Sequence, residues 1–245
     1  MPFIEFSYLS HKLHFEYNER EKPTAIWPLQ REIFEESCYQ SENCFVERGD
    51  VVIDGGANIG LFTILAFMHG AKHVIAVEPN EKCAALLTEN VRNHDNTPAY
   101  FLPPVMLEVH TKALWHEVRG EEQKMPFFCG RTFATSHIMG RLTDGDERWD
   151  TRVTTTTVDK IAEKVKIDLI KFDLEGSDYT ALHGAINTIR RDRPKLVLSL
   201  YHHEEDQKNI TRFIVEELKL GYGEPEIKGP TIRGRFYPIG LWKKP

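Results

Sequence analysis

One short stretch restricts the fold of this chain more than any other. Residues 49–60 read GDVVIDGGANIG, an apolar, β-branched run that ends in a glycine turn. A helical pattern follows over 61–70, then a second apolar strand over 73–80 and an amphipathic helix over 81–94. Strand, glycine turn, helix, strand and helix make a βαβα unit, which predicts a parallel sheet with right-handed crossovers.

The rest of the chain extends this unit into a doubly wound α/β sheet. Apolar strands are predicted at 167–176 and 195–203, each followed by a helical segment, and 226–244 is typical of an antiparallel C-terminal hairpin. Residues 1–48 follow a different pattern, a hairpin and then a helix. The sequence therefore predicts an N-terminal extension over 1–48 and a main domain over 49–245.

Composition and charge narrow the classes of function. The 245 residues are 41% hydrophobic, enough for a full core, and no apolar run approaches the ~18 residues of a membrane helix. The formal net charge of −6 disfavours broad binding of nucleic acid or of an anionic membrane. The N-terminus has no secretory signal pattern, and the four cysteines form no CxxC pair. We expect a cytoplasmic protein with reduced thiols, and the oligomeric state stays open.

The glycine turn carries the first functional signal. From Gly56 the spacing is Gly-x-Asn-x-Gly, which does not match the GxGxxG of a dinucleotide site. Asp54 precedes the turn, where it would repel a pyrophosphate but suit the ammonium of S-adenosylmethionine (SAM), whose carboxylate could bind the loop amides. Glu78 ends the second strand and could accept the hydroxyls of a ribose. These residues favour SAM over NAD, and the alternative is a glycine turn that binds no ligand.

At this point the sequence resembles the FkbM family of SAM-dependent methyltransferases. The resemblance rests on GDVVIDGGANIGLFT, VIAVEPN, KALWHEVRG, IDLIKFDLEGSDYTALHGA and KLVLSLYHHEED, in the order and roughly the spacing of the family over about residues 48–220. It implies the Rossmann-like class I methyltransferase fold, a seven-stranded, mostly parallel sheet with SAM across the carboxyl ends of its strands. The residues expected to bind the cofactor are Asp54, Gly55, Gly56, Ala57, Asn58, Gly60, Glu78, Pro79 and Ala113.

Acidic and imidazole side chains follow two strands that we expect to be neighbours. Asp173 and Glu175 end one strand, and His202 ends the other, so that they would lie beside the SAM methyl group. Asp173 or His202 could remove the proton of a hydroxyl acceptor. Alternatively, Asp173, Glu175 and His202 could hold Mg²⁺ or Mn²⁺, which would bind the acceptor oxygens. Glu175 could instead only cap the next helix, and alternation of side chains sends His203 away from His202.

Only the family resemblance indicates which molecule accepts the methyl group. The family implies transfer to oxygen, less often nitrogen, on sugars and natural products, so we expect a glycan or small-molecule acceptor. Residues 130–150 are predicted to form a long loop or lid, whose candidate substrate contacts are Arg131, His137, Arg141 and Trp149. The alternatives left open are methylation of nitrogen or of an RNA ribose, an NAD-dependent dehydrogenase, and a SAM- or nucleotide-binding module without catalysis.

Overall fold

The computed structural model describes most of the chain. The described residues are 2–17, 23–95, 105–117, 123–129, 137–138, 147–232 and 235–245.

Fifteen strands occur among these residues. In chain order they are β1 Phe3–Tyr8, β2 His11–Glu16, β3 Val51–Gly55, β4 His73–Val77, β5 Met106–His110, β6 Ala113–Leu114, β7 Lys124–Cys129, β8 His137–Ile138, β9 Glu147–Thr156, β10 Leu169–Phe172, β11 Lys195–Ser199, β12 Glu226–Lys228, β13 Thr231–Ile232, β14 Arg235–Phe236 and β15 Ile239–Trp242.

The helices are short, and two of them continue into π-helical turns. They are α1 Pro23–Gln30 with the π turn Arg31–Glu35, α2 Leu61–Met68, α3 Glu81–Asp95, α4 Val158–Ile161, α5 Asp178–His183, α6 Ile186–Asp192, and α7 Asp206–Arg212 with the π turn Phe213–Glu217. In the part of the chain that the structure describes, no helix has the length and apolarity needed to cross a membrane.

A seven-stranded sheet forms the centre of the molecule, in the order β12-β15-β11-β10-β3-β4-β5. The five strands from β11 to β5 are parallel, and β15 pairs antiparallel with β11 and β12. The chain winds from β3 toward β5 on one side and from β10 toward β15 on the other. The switch point of a doubly wound sheet therefore lies between the carboxyl ends of β3 and β10. The predicted α/β class, the mostly parallel sheet and the antiparallel end are confirmed.

The N-terminal hairpin β1–β2 and the first helix pack on the main sheet layer. Ile4, Leu13 and Phe15 belong to the same buried cluster as Leu61 of α2 and Val91 of α3. The hairpin itself is as predicted, with Phe3 paired to Glu16 and Tyr8 to His11 in one register. The division at residue 48 stays a prediction, because the buried cluster runs across it.

Two regions differ from the sequence prediction. The helix predicted after β10 is broken between α5 and α6 at Gly184. A Cβ there would lie 2.1 Å from the carbonyl oxygen of Trp115, so only glycine lets this segment approach the turn between the two helices. The predicted long loop is wrong in part, because β8 and the start of β9 lie within 130–150. They join β6 and β7 in a four-stranded sheet.

Candidate active site

The glycine turn after β3 passes against the backbone that follows β10. Gly56 has φ +71°, and a Cβ on it would lie 2.0 Å from the carbonyl oxygen of Asp173. Only glycine permits this approach. The turn and Asp173 are thus held in contact at the switch point of the sheet, where ligands bind in this architecture.

A buried ion pair stands behind the turn. Lys171 Nζ lies 3.0 Å from Asp54 Oδ1 and donates hydrogen bonds to the carbonyl oxygens of Gly55 and Gly56, at 3.2 and 3.0 Å. Thr63 Oγ1 donates to the other Asp54 oxygen at 2.7 Å. Burial alone would lower the pKa of Lys171, but the charges of Asp54, Asp173 and Asp178 and the hydrogen bond to Asp54 together raise that pKa, so the ammonium stays charged.

This arrangement differs from the expectation that Asp54 contacts a ligand. Its side chain is fully buried, and both carboxylate oxygens are occupied by Lys171 and Thr63. The charge of this carboxylate is neutralised inside the protein. Asp54 therefore stabilises the shape of the turn and offers no charge to a ligand in the cavity. Lys171 itself, which the sequence analysis did not assign, comes from β10 and reaches the turn across the sheet.

The backbone N–H groups of the turn also form hydrogen bonds within the protein. The N–H groups of Gly56 and Ala57 both donate to the carbonyl oxygen of Val77, at 2.9 and 3.3 Å. The N–H of Asn58 donates to Glu78 Oε2 at 2.9 Å. The expectation that these amides bind a carboxylate of the ligand is therefore not supported. The turn lines the cavity, but these N–H groups already have acceptors within the protein.

Both carboxylate oxygens of Glu78 accept a backbone N–H. Its second oxygen, Oε1, accepts the N–H of Asn80 at 2.8 Å. Burial raises the pKa of Glu78 to about 7, against the effect of the hydrogen bonds from Asn80 and Asn58. A carboxylate oxygen can accept more than one hydrogen bond, so each oxygen keeps capacity for a further donor.

A cavity connects these groups. It encloses about 880 Å³, its open mouth included. Six of the predicted cofactor residues line it, namely Gly56, Ala57, Asn58, Glu78, Pro79 and Ala113. Three others, Asp54, Gly55 and Gly60, are not among its lining residues. A Cβ on Gly55 would meet the side chains of Phe172 and Leu114, and one on Gly60 would meet Leu87, so these two glycines serve internal packing.

The predicted acids and imidazole meet at the far end of this cavity. Asp173 and Glu175 line it, and His202 Nε2 lies 3.4 Å from Asp173 Oδ1 and 3.6 Å from Glu175 Oε2. His202 Nδ1 lies 3.3 Å from Asp178 Oδ2. These contacts follow from the parallel pairing of β10 with β11, which brings the two strand tips together.

The charges of this cluster are set by its own members. Burial alone would lower the pKa of His202, but Asp178, Asp173 and Glu175 raise it to about 10. Burial would likewise raise the pKa of Asp173, yet His202 and Lys171 bring it below its usual value. The pair is therefore a carboxylate beside an imidazolium. This differs from the expectation that His202 acts as a base, since a protonated imidazole has no free lone pair.

Glu175 faces the cluster and not the next helix. It has φ +52° and is followed by Gly176 at φ +96°, a tight turn that aims its side chain toward His202. At the start of α5 it is Asp178 whose carboxylate accepts a backbone N–H, that of Leu174 at 3.2 Å. Burial and the charge of Asp173 raise the pKa of Glu175.

Two tyrosines hold Asp173. Tyr39 donates from its hydroxyl to Asp173 Oδ2 at 2.8 Å, and Tyr201 donates to Oδ1 at 3.1 Å. Tyr39 comes from the N-terminal segment, and no local pattern in the sequence marks it as a site residue. Leu29 and Ile33 of the same segment also line the cavity.

The predicted contacts from the loop are not placed by the structure. Arg131 and Arg141, with the side chains of His137 and Trp149, lie outside the described residues. His203 is exposed, and its ring Nε2 lies 2.9 Å from the carbonyl oxygen of Gly176. His202 and His203 lie beyond the end of β11, so strand alternation does not decide the direction of the His203 side chain.

Comparison with known proteins gives the family. Residues 54–223 match the family profile described as the Methyltransferase FkbM domain. The chain belongs to the FkbM methyltransferase family. The match covers the glycine turn, both strand tips and the Asp173 cluster, and it ends before the C-terminal hairpin.

Individual relatives of this FkbM protein share parts of its sequence or its fold. The chain is 42% identical over 67 residues to the 31-O-demethyl-FK506 methyltransferase FkbM of Streptomyces tacrolimicus, which is 27% of this chain and 26% of that relative. The crystal structure of methyltransferase FkbM from Methylobacillus flagellatus KT has a TM-score of 0.57 at 20% identity, over 80% of this chain and 43% of that one. The chain thus spans less than half the length of either protein.

A further solved structure has a similar fold over nearly the whole chain. M. jannaschii TYW2 in complex with AdoMet has a TM-score of 0.50 at 13% identity, over 99% of this chain and 87% of that chain. At such identities the likeness shows the class I methyltransferase fold alone.

Proposed function

We propose that this protein transfers the methyl group of SAM to a hydroxyl oxygen on a sugar or a natural product. The observation that carries the proposal is one cavity that runs from Glu78, past the Gly56 turn, to Asp173 and Glu175. Membership of the FkbM family supports the reaction. The name of the Streptomyces relative, an O-demethyl-FK506 methyltransferase, favours oxygen and a natural product.

In the proposed mechanism, Glu78 would accept the ribose hydroxyls of SAM, and the Gly56 turn would support the nucleoside. SAM would supply a sulfonium methyl beside Asp173 and Glu175, which line the same cavity. Methyl transfer is an in-line displacement, so the acceptor oxygen must be held about 3 Å from the methyl carbon. A neutral polar acceptor is consistent with the apolar wall of Leu29, Ile33 and Phe62.

Asp173 is the group that receives the proton of the acceptor. Its Oδ2 accepts one hydrogen bond, from Tyr39, and can accept a second from the acceptor hydroxyl. As the hydroxyl oxygen bonds to the methyl carbon and sulfur leaves with the C–S electron pair, that oxygen becomes positively charged. Its proton is then acidic enough for a carboxylate of low pKa to accept it. The products are the methyl ether, S-adenosylhomocysteine (SAH) and a proton on Asp173.

The decisive experiment is a turnover assay with matched variants. SAH formation from SAM would be measured against simple glycosides, 31-O-demethyl-FK506 and amines of similar size. We expect turnover with hydroxyl acceptors, and its loss in Asp173→Asn and His202→Ala while SAH binds with nearly unchanged affinity. Wild-type rates in both variants would remove the catalytic assignment. Turnover with amines alone would move the reaction to nitrogen.

A divalent cation is a second possibility, favoured by one observation. Ligand atoms of Asp173, Glu175 and His202 all lie within 4.8 Å of one another. Asp178 beside His202 Nδ1 would orient the imidazole, as carboxylates do for metal-binding histidines. The donor set fits Mg²⁺ or Mn²⁺ if the ion takes the place of the imidazolium proton on His202, and the ion would lower the pKa of a bound hydroxyl. Loss of turnover in EDTA, restored by either ion, would select this alternative; full turnover in EDTA would exclude it.

A further inference from the structure

The hydroxyl of Tyr39 contacts the Asp173 carboxylate directly. It donates to Asp173 Oδ2 at 2.8 Å, and Tyr201 donates to Oδ1 at 3.1 Å. The two oxygens of this carboxylate therefore accept from two different phenols, one of which belongs to the N-terminal segment.

Tyr39 is too constrained to give up this position. Its ring is 3% exposed and lies 5.8 Å from the Phe62 ring, with Lys171 Nζ 5.7 Å from its centroid. The next residue is anchored as well, because Lys228 Nζ donates to the Gln40 carbonyl oxygen at 2.9 Å. A hydroxyl on such a ring is a fixed donor.

On the basis of the proposed function, we propose that Tyr39 is a positioning residue for Asp173. Tyr201 donates to Asp173 Oδ1 and His202 Nε2 lies 3.4 Å from the same oxygen, whereas the hydrogen bond described for Oδ2 comes from Tyr39. Without Tyr39 the carboxylate can rotate about its Cβ–Cγ bond, and Oδ2 no longer points at a fixed place in the cavity. The N-terminal segment then contributes a positioning residue to the active site.

The matched control for Tyr39→Phe is Tyr222→Phe. Tyr222 is also 3% exposed, and its hydroxyl donates to the Pro194 carbonyl oxygen at 2.6 Å. Both changes delete one buried hydroxyl and its hydrogen bond, so both should lower the melting temperature. We expect only Tyr39→Phe to lower kcat, by about 10- to 100-fold, since misplacing a reacting group costs rate. The KM for SAM and the affinity for SAH should stay within about twofold.

A crystal structure of Tyr39→Phe separates this proposal from the proposed function. We expect the Asp173 carboxylate to be rotated or to occupy two orientations, whereas Tyr222→Phe leaves it in place. An unchanged, single orientation of Asp173, or equal kcat values for the two tyrosine variants, would overturn the proposal. Absence of SAH formation by the wild-type protein with every acceptor would count against methyl transfer, while the orientation of Asp173 would still decide the role of Tyr39.

Discussion

At the residue scale, the shape of the glycine turn depends on Lys171. Its ammonium contacts the Asp54 carboxylate and the carbonyl oxygens of Gly55 and Gly56 in the interior. Replacing one partner of a buried pair leaves the other charge without compensation. The pair therefore links the fold to the site, because the same turn forms the floor of the cavity.

Lys171→Met should destabilise the fold by about 3–5 kcal/mol, because Asp54 stays buried and unpaired. The free energy of unfolding in urea measures this. Lys166→Met is the control: Lys166 pairs with Asp168 at 3.3 Å with a side chain 70% exposed, so its loss should cost less than about 1 kcal/mol. Adding Asp54→Asn to Lys171→Met should recover part of the loss. A double variant no more stable than the single one would contradict this account.

Glu78→Ala should weaken SAH binding by about 10- to 100-fold, or roughly 1.4–3 kcal/mol, because hydrogen bonds to a charged acceptor are lost. Isothermal titration calorimetry gives the affinity. The exposed Glu81, three residues further on at the start of α3, offers a control in Glu81→Ala, which should bind SAH normally. Equal affinities of the two variants would show that Glu78 does not contact the ligand.

Individual site residues were predictable where they end a strand. Glu78, Asp173 and His202 follow apolar runs, and parallel pairing places such tips at one edge of a sheet. Tyr39 could not be found in this way, because 134 residues separate it from its partner Asp173 and only tertiary packing joins them. Lys171 could have been recognised from the sequence, because a lysine inside a fully buried strand requires a buried acid such as Asp54.

At the element scale, periodicity identified the strands of the central sheet and the helices between them. It missed the break at Gly184, where the backbone of Trp115, remote in sequence, comes close. It also missed the strand character of β8 and β9, whose stretch 130–150 has no clear period. β8, at the edge of the four-stranded sheet, and the start of β9 are stabilised by pairing with β7 and not by a hydrophobic pattern of their own.

The contribution of the contact between α3 and β2 to stability should depend on pH. His94 of α3 accepts the N–H of His14 in β2 at 3.2 Å through Nε2, and its Nδ1 lies 2.6 Å from the Asn90 carbonyl oxygen. These partners require the neutral ring, and burial lowers the pKa of His94 below its usual 6.5. Since the unfolded chain then binds more protons, stability is complete above pH 6.5 and is lost as pH falls.

The melting temperature measured from pH 7.5 to 5 tests this contribution of His94. Each pH unit below the unfolded pKa should cost up to about 1.4 kcal/mol per such histidine. His94→Gln keeps a donor and an acceptor without titrating, so its curve should be flatter than that of the wild type. Because burial also lowers the pKa values of His69 and His73, the difference between the two curves carries the test. Parallel curves would contradict the assignment.

At the scale of the whole molecule, the N-terminal segment belongs to the fold and to the site. Its buried side chains share a cluster with α2 and α3, and Tyr39 reaches Asp173. Deleting residues 1–48 would expose this apolar surface to water. The truncated chain should therefore lose cooperative thermal unfolding, as followed by circular dichroism. A cooperative transition within a few degrees of that of the full chain would show that residues 49–245 fold independently.

The central claim is that one cavity seats a methyl donor between Glu78 and Asp173. A crystal structure with SAH tests it most directly. We predict the ribose hydroxyls on the Glu78 carboxylate and the sulfur turned toward Asp173 and Glu175. SAH bound elsewhere, or in this cavity with its sulfur directed away from both carboxylates, would contradict the account.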